Sequence, residues 1–323
     1  MTIDAISNEP LLPAKIAREP LVLARWIKSA FLLIVVFLTV RVSLKPTNNL
    51  DYLNDQNGML KILHGQNPYL EGTFIEPPWS AYLLFPIVFQ PLETWLALDV
   101  ALFVAMAFDL GKPSSLLLLA HPIFFFLLAS SNPEWLFVGP GLWLLYRAKY
   151  GWRRGLAWLF MACKPQTMAF LLIFDGWRAF RQRDWPAFGM AGGVAALTLL
   201  ANPHIFSIVG SALAYWSSSV LPSYGLLFTI GATVVLLLLR TGRWRDRRTL
   251  GILLAPIWSP YFLEYSAVAV IFTLRGAGWI RTILFMIGSF GIGYLFLRQF
   301  HVAEAAGILG ITLLASLLAP TYK

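Results

Sequence analysis

Four arginine-rich stretches, RAKYGWRR (147–154), RAFRQRD (178–184), RTGRWRDRR (240–248) and RGAGWIR (275–281), punctuate a chain whose intervening segments are almost wholly apolar. Long apolar runs cut by charge clusters predict helices that cross a bilayer repeatedly, because a helix satisfies its own backbone hydrogen bonds away from water. The chain is 58% hydrophobic and 13% charged, against roughly 45–50% apolar in soluble domains. The expected fold class is therefore an all-α polytopic membrane protein. About twelve crossings or partial crossings are predicted, near 26–43, 93–108, 114–130, 134–147, 155–163, 167–177, 187–202, 222–239, 249–258, 264–274, 280–297 and 302–319.

With the N-terminus placed inside, all but Arg41, Lys45, Lys61, Lys164 and Arg298 of the 25 lysines and arginines fall on the cytoplasmic side. The net charge of +9 is thus read as an orientation signal rather than a nucleic-acid surface. The expected organisation is a cytoplasmic segment 1–25, one transmembrane domain 26–319 with a first external loop at 44–92, and a cytoplasmic tail 320–323. Bacterial plasma membrane is the expected location. The N-terminal stretch holds Asp4, Glu9 and Glu19 and lacks a cleavage site after the first apolar run, so no cleavable signal is expected. A single cysteine, Cys163, excludes an internal disulfide.

The layout requires that 79–91 (WSAYLLFPIVFQP) not cross fully. Thirteen residues of helix reach about 20 Å, and Pro77, Pro78, Pro86 and Pro91 favour a bent or re-entrant piece. Two hairpins, 155–177 and 249–274, are too short to cross twice. Their turns, at Lys164-Pro165-Gln166 and from Ser259-Pro260-Tyr261 to Glu264-Tyr265, are expected below the outer surface and facing a cavity. The turn Ser130-Ser131-Asn132-Pro133-Glu134 joins longer arms and is expected nearer the surface.

Ionisable groups in such places are costly and usually mark a site. Lys164 has two readings: a structural cation paired with a neighbouring carboxylate, or a phosphate ligand at the membrane–water boundary. Glu264 reads as a structural partner in a Tyr-rich setting or as a site residue. Asp99 reads as a buried packing residue or a functional one. In the external loop, LDYLNDQNGMLKIL (50–63) has helical spacing, with Leu50, Leu53, Leu60 and Leu63 expected against lipid. Asp51 and Asp55 stand four apart on one face. GQNPY (65–69) ends that helix, and FIEPPW (74–79) returns the chain to the membrane in extended form. These loop acids read as ordinary solvated groups or as a general base beside an embedded substrate.

The order Asp51, Gly65-Gln66-Asn67-Pro68-Tyr69, Phe74-Ile75-Glu76-Pro77-Pro78 and an apolar Pro-containing run resembles glycosyltransferase family 87, with Lys164-Pro165-Gln166 and Ser259-Pro260-Tyr261 before Glu264-Tyr265 similar to its later signatures. The likeness runs from the first crossing to about residue 275. Glu76 stands where the family often has an aromatic, and Glu264 where it has His or Asp. The resemblance implies a GT-C-like helical bundle that moves a hexose, mannose above all, from a polyprenyl-phosphate donor to an acceptor hydroxyl on the external face, with inversion. Such transfer needs a base for the acceptor proton and positive charge on the departing phosphate.

By resemblance Asp51 is the base and Lys164 meets the phosphate, with Arg41 or Lys45 in reserve. Asp55, Asn67, Tyr69, Gln166, Glu264 and Tyr265 would hold donor or acceptor. Trp79, Trp216 and Tyr224 would stack on sugar, line the lipid groove or anchor at the interface. Partners are then a lipid-linked sugar donor, a glycolipid or glycan acceptor and membrane lipids. No metal site or cofactor is expected, since no His or Cys cluster has ligand spacing. Two alternatives stand beside this. A lipid-linked-sugar transporter or flippase would also use broken helices and a polar cavity, although no internal repeat is visible. A non-catalytic GT-C-like subunit of an envelope-assembly complex would keep the fold without the chemistry.

Overall fold

Proline, glycine and charge at the ends of the apolar runs set the helix boundaries. The computed structural model describes residues 50–70, 74, 76–148, 150–204, 220–241, 246–259, 264–296 and 302–320. In chain order its α-helices are α1 (Leu50–Leu63), α2 (Trp79–Leu83), α3 (Leu92–Leu110), α4 (Pro122–Ala129), α5 (Glu134–Arg147), α6 (Trp152–Met161) and α7 (Pro165–Arg181). They continue as α8 (Trp185–Ala201), α9 (Val220–Leu239), α10 (Arg247–Trp258), α11 (Val268–Phe272), α12 (Trp279–Phe296) and α13 (Val302–Leu318). Three 3-10 segments, Ile87–Phe89, Pro113–Ala120 and Glu264–Ala267, join them, and no strand occurs among the described residues. The fold is all-α.

Local chemistry accounts for these ends. Pro165 and Pro186 occupy first-turn positions of α7 and α8, where a missing N–H leaves nothing unpaired. Arg178 and Arg181 close α7 against its negative end. Asp246 caps α10 by accepting from the Thr249 N–H at 3.2 Å. Gly65, at φ +70°, stops α1 in a conformation that resists a side chain.

The expected single crossing at 114–130 is a correction: the run is split into a 3-10 segment and α4. His121 adopts an extended backbone before Pro122, which disfavours helix at the preceding position. The His121 Nδ1 then accepts from Ile123 N–H at 3.2 Å and caps the new helix. Among the described residues no helix is long and apolar enough to cross a membrane. Two interruptions contribute. Helix α9 is broken at Gly225, whose φ/ψ of 79°/172° is not helical. Helix α3 carries Glu93, Asp99 and Asp109.

The core is aromatic. Phe103 lies 4.9 Å from Phe124, 5.2 Å from Trp135 and 5.5 Å from Phe272 between ring centroids, binding α3, α4, α5 and α11. Each such pair adds about 0.5–1.5 kcal/mol beyond area burial. Helices α7 and α10, α5 and α6, and α6 and α8 pack against one another most extensively. Gly155 permits the last of these: a Cβ there would lie 2.3 Å from the Ala187 carbonyl oxygen.

The bundle has two chemically distinct ends. At one end the basic connections gather. The Lys112 N–H donates to the Arg275 carbonyl at 2.7 Å, Ser114 Oγ donates to the Ala277 carbonyl at 2.5 Å, and Arg147 pairs with Asp109. Arg154 is fully buried there. Its Nε and Nη2 donate to the two Asp175 oxygens at 2.7 and 2.9 Å, and its Nη1 to Gln182 at 3.0 Å and Asp184 at 3.3 Å. Asp184 in turn accepts from the Gly151 N–H at 2.9 Å, so one guanidinium locks the ends of α6, α7 and α8 together. The opposite end holds α1, the described loop residues 66–70, 74 and 76–78, and the turn between α6 and α7.

Candidate functional site

A lone lysine fixes the second end. Lys164 is the residue before α7, in the turn that the 155–177 hairpin predicts, and it is only 4% exposed. Its Nζ lies 2.5 Å from Glu76 Oε1 and 4.0 Å from Asp55 Oδ2. Glu76 is 1% exposed and Asp55 is also buried. The amphipathic pattern of α1 explains the approach: the helix buries Tyr52, Asp55, Met59 and Ile62 on its inner side and leaves Leu53 exposed.

Burial alone would raise the Glu76 carboxyl. The Lys164 charge and the hydrogen bond that Lys164 donates, with the Asp55 and backbone contacts, outweigh it and hold Glu76 below the ordinary carboxylate value.

A third carboxylate stands behind the pair. Glu134, fully buried in the first turn of α5, accepts from Thr167 Oγ1 at 2.5 Å and Ser266 Oγ at 2.7 Å. Its backbone N–H donates to Asn132 Oδ1 at 2.9 Å. It also lies within electrostatic reach of Lys164. The turn expected near the surface is therefore interior, since Ser131, Asn132 and Glu134 are all buried, and this corrects the sequence expectation. The turn is drawn inward because its carboxylate is hydrogen-bonded by α7 and by the 264–267 segment. One ammonium thus sits among three carboxylates from three separate parts of the chain.

The loop above is tied down group by group. Asn67 Oδ1 accepts from the Tyr69 N–H at 3.0 Å, and the buried Tyr69 hydroxyl donates to the Glu76 carbonyl at 3.0 Å. Asn202 Nδ2 donates to the Gln66 carbonyl at 3.1 Å. Trp79 Nε1 donates to the Leu159 carbonyl at 3.0 Å, and Cys163 Sγ to the same oxygen at 3.3 Å. In this state Asn67, Tyr69 and Trp79 hold the loop over the α6–α7 turn. Pro77 and Pro78 are buried beneath it.

Of the sequence candidates, the structure brings together Lys164, Asp55 and, at the rim, Tyr69. Lys164 has the paired arrangement of its first reading. Gln166 is half-buried in the first turn of α7. The backbone places position 51 in α1 one turn before Asp55, and positions 264 and 265 in the 3-10 segment whose Ser266 reaches Glu134. The side chains of Asp51, Glu264 and Tyr265, together with Arg41, Lys45 and Trp216, lie outside the described residues. Tyr224 packs on Phe228 at 4.7 Å, away from the lysine cluster in sequence and element.

Sequence reasoning missed Glu76, Glu134, Thr167 and Ser266 as site members. The signal for Glu76 was its departure from an aromatic before Pro-Pro, paired with a lone lysine far along the chain. Asp99 is buried in α3, with no partner for its Oδ1 among the described residues. Among the described residues no group of three or more His, Cys, Asp or Glu could hold a metal ion. The chain matches no protein-family model, no curated protein and no solved structure.

Proposed function

We propose that the chain is a polytopic membrane glycosyltransferase of the GT-C kind, resembling family 87, that moves a hexose from a polyprenyl-phosphate donor to an acceptor hydroxyl on the external face. What carries the proposal is the meeting of the loop motif and the Lys164 turn: Glu76 reaches Lys164 across 88 residues of sequence, and Asp55 converges on the same ammonium. Segregation of the basic connections to the other end supports a bilayer orientation. So do the outward-facing apolar side chains of α8, α9 and α12, with Leu200, Leu227 and Ile280 more than three-quarters exposed.

In this mechanism Asp51 takes the acceptor proton as the acceptor oxygen bonds to the anomeric carbon, and the bond from that carbon to the phosphate oxygen breaks with its electron pair leaving on the polyprenyl phosphate. Asp55, one turn on, is held against the Lys164–Glu76 pair and sets the position of α1, so Lys164 acts as a positioning residue while Glu76 holds it. A donor phosphate reaches the Lys164 ammonium only by displacing Glu76. Gln166, Glu264 and Tyr265 remain donor-side candidates by resemblance, with Arg41 in reserve for the phosphate.

The test is transfer from a radiolabelled polyprenyl-phosphate mannose by the purified, reconstituted chain. Asp51→Asn is expected to lower turnover by about 10²–10⁴, the usual contribution of a general base. Turnover within a few-fold of the parent removes Asp51 from that role. The closed Lys164–Glu76 pair favours a second reading, a non-catalytic helical subunit. Absence of transfer by the purified chain, with transfer restored by a partner's own catalytic base, would select it.

A further inference from the structure

A continuous aromatic ladder runs along the basic end. Trp177 stacks on Phe180 at 6.1 Å, Phe180 meets Trp185 at 6.0 Å, Trp185 meets Phe188 at 6.0 Å, and Phe188 meets Trp158 at 5.0 Å. Its outer members are not core residues: Trp177 and Trp185 are each 57% exposed, and Phe180 is exposed too. Arg178, Arg181 and Arg183 interleave with these rings and are also exposed. None of the three has a carboxylate partner among the described residues. By contrast Arg154, one layer beneath, has both Asp175 and Asp184. That buried clamp makes the α7–α8 corner a fixed platform, with Arg183 itself in the left-handed turn at φ 56°.

Above the ladder the same two helices present Ile173, Leu197 and Leu200 outward. Ile173 stands one turn before Trp177. The surface therefore passes from bare aliphatic wall to amphipathic indoles to unpaired guanidiniums. Apolar chains, an interfacial layer and phosphate charge follow in that order in a phospholipid leaflet. A soluble acidic protein would match the arginines but not the aliphatic wall. A free phosphate would match neither the wall nor the indoles.

We infer that the α7–α8 corner is a binding surface for anionic phospholipid, with Trp177 and Trp185 at the glycerol level and Arg178, Arg181 and Arg183 on headgroup phosphates. This rests on the membrane placement proposed above and adds a lipid preference to it.

The full chain is reconstituted in vesicles of phosphatidylcholine alone and of phosphatidylcholine mixed with phosphatidylglycerol. Brominated acyl chains are carried by one lipid or the other. Quenching of Trp177 and Trp185 is read as the difference from the Trp177→Phe/Trp185→Phe variant. Brominated phosphatidylglycerol is expected to quench at a lower mole fraction, by about fivefold for each arginine engaged at low salt. The preference should fall towards unity in Arg178→Gln/Arg181→Gln/Arg183→Gln and at about 1 M salt, where screening is nearly complete. Equal quenching by both lipids, or a preference unchanged in the triple variant, overturns the inference while leaving the membrane placement standing. Competition by inorganic phosphate at matched charge would identify a free-anion site and also overturn it. Failure to enter either vesicle overturns the membrane placement and this inference with it.

Discussion

Lys164→Met is the most informative single change, because it separates a cation that holds the fold from one kept free for a ligand. The substitution preserves much of the side-chain volume and removes the ammonium 2.5 Å from Glu76 and 4.0 Å from Asp55. Glu76, Asp55 and Glu134 then lose the counter-charge that Lys164 supplies. Breaking a buried pair by removing one member costs about 3–5 kcal/mol, a large part of the roughly 5–15 kcal/mol that holds a domain together. A fall in melting temperature on the order of 10 °C follows.

Lys164→Met/Glu76→Leu should recover most of this loss, since replacing both members by apolar groups is often near neutral. Glu134 tolerates the change because Thr167 and Ser266 still donate to it. The expected coupling between the two sites is about 3 kcal/mol. Cys163, the one cysteine of the chain and buried beside Lys164, makes the assay local: a fluorogenic thiol reagent reports unfolding at that turn. A loss below about 1 kcal/mol for Lys164→Met, with no recovery in the double variant, would refute the paired role and return Lys164 to the phosphate.

Two further outcomes follow from the same geometry. Glu76 lies below its ordinary value of 4.5, so the unfolded chain binds its proton more readily; its stabilising contribution is complete above pH 4.5 and is lost as pH falls through the folded value. Glu76→Gln should flatten that acid limb of the melting temperature, and an unchanged limb would assign it to other carboxylates. Gly155→Ala would bring a Cβ within 2.3 Å of backbone at Ala187 and should cost about 1–3 kcal/mol by thermal unfolding, because α6 and α8 must move apart.

How much of this was legible in the sequence varies with the range of the interaction. The bounds of α1 and α5 follow from local signals: Gly65 after one, Glu134 and Arg147 at the ends of the other. The described parts of the Arg-rich connections gather at one end of the bundle. The break at His121 was harder to see, since Pro122 sits inside the run LLLLAHPIFFFLLA, where apolarity hides the boundary. The Lys164–Glu76 pair has no local signature at all. It joins positions 88 apart, and Glu134 finds Ser266 across 132. Periodicity reports faces of helices, not which faces will touch, so the turn at 130–134 reads as lying nearer the surface although its carboxylate is interior.

The two ends also differ in charge balance, and that difference bears on function. At the basic end Arg154 has Asp175 and Asp184, Arg240 has Asp246, and the buried Arg275 lies over the Tyr146 ring at 4.0 Å. At the other end, among the described residues, one ammonium faces three carboxylates. Stability alone does not favour the excess, since each buried carboxylate carries a desolvation cost that an amide would lessen. Sites retained for chemistry are where such costs persist. Asp55 is the member whose removal tests this most cleanly, because Glu76 keeps the short contact with Lys164. Asp55→Asn should leave thermal stability unchanged or raise it by about 1 kcal/mol, while lowering sugar transfer by at least the tenfold that a misplaced catalytic helix imposes. Loss of stability with transfer intact would instead make Asp55 a structural partner of Lys164, and the charge excess a feature of folding rather than of catalysis.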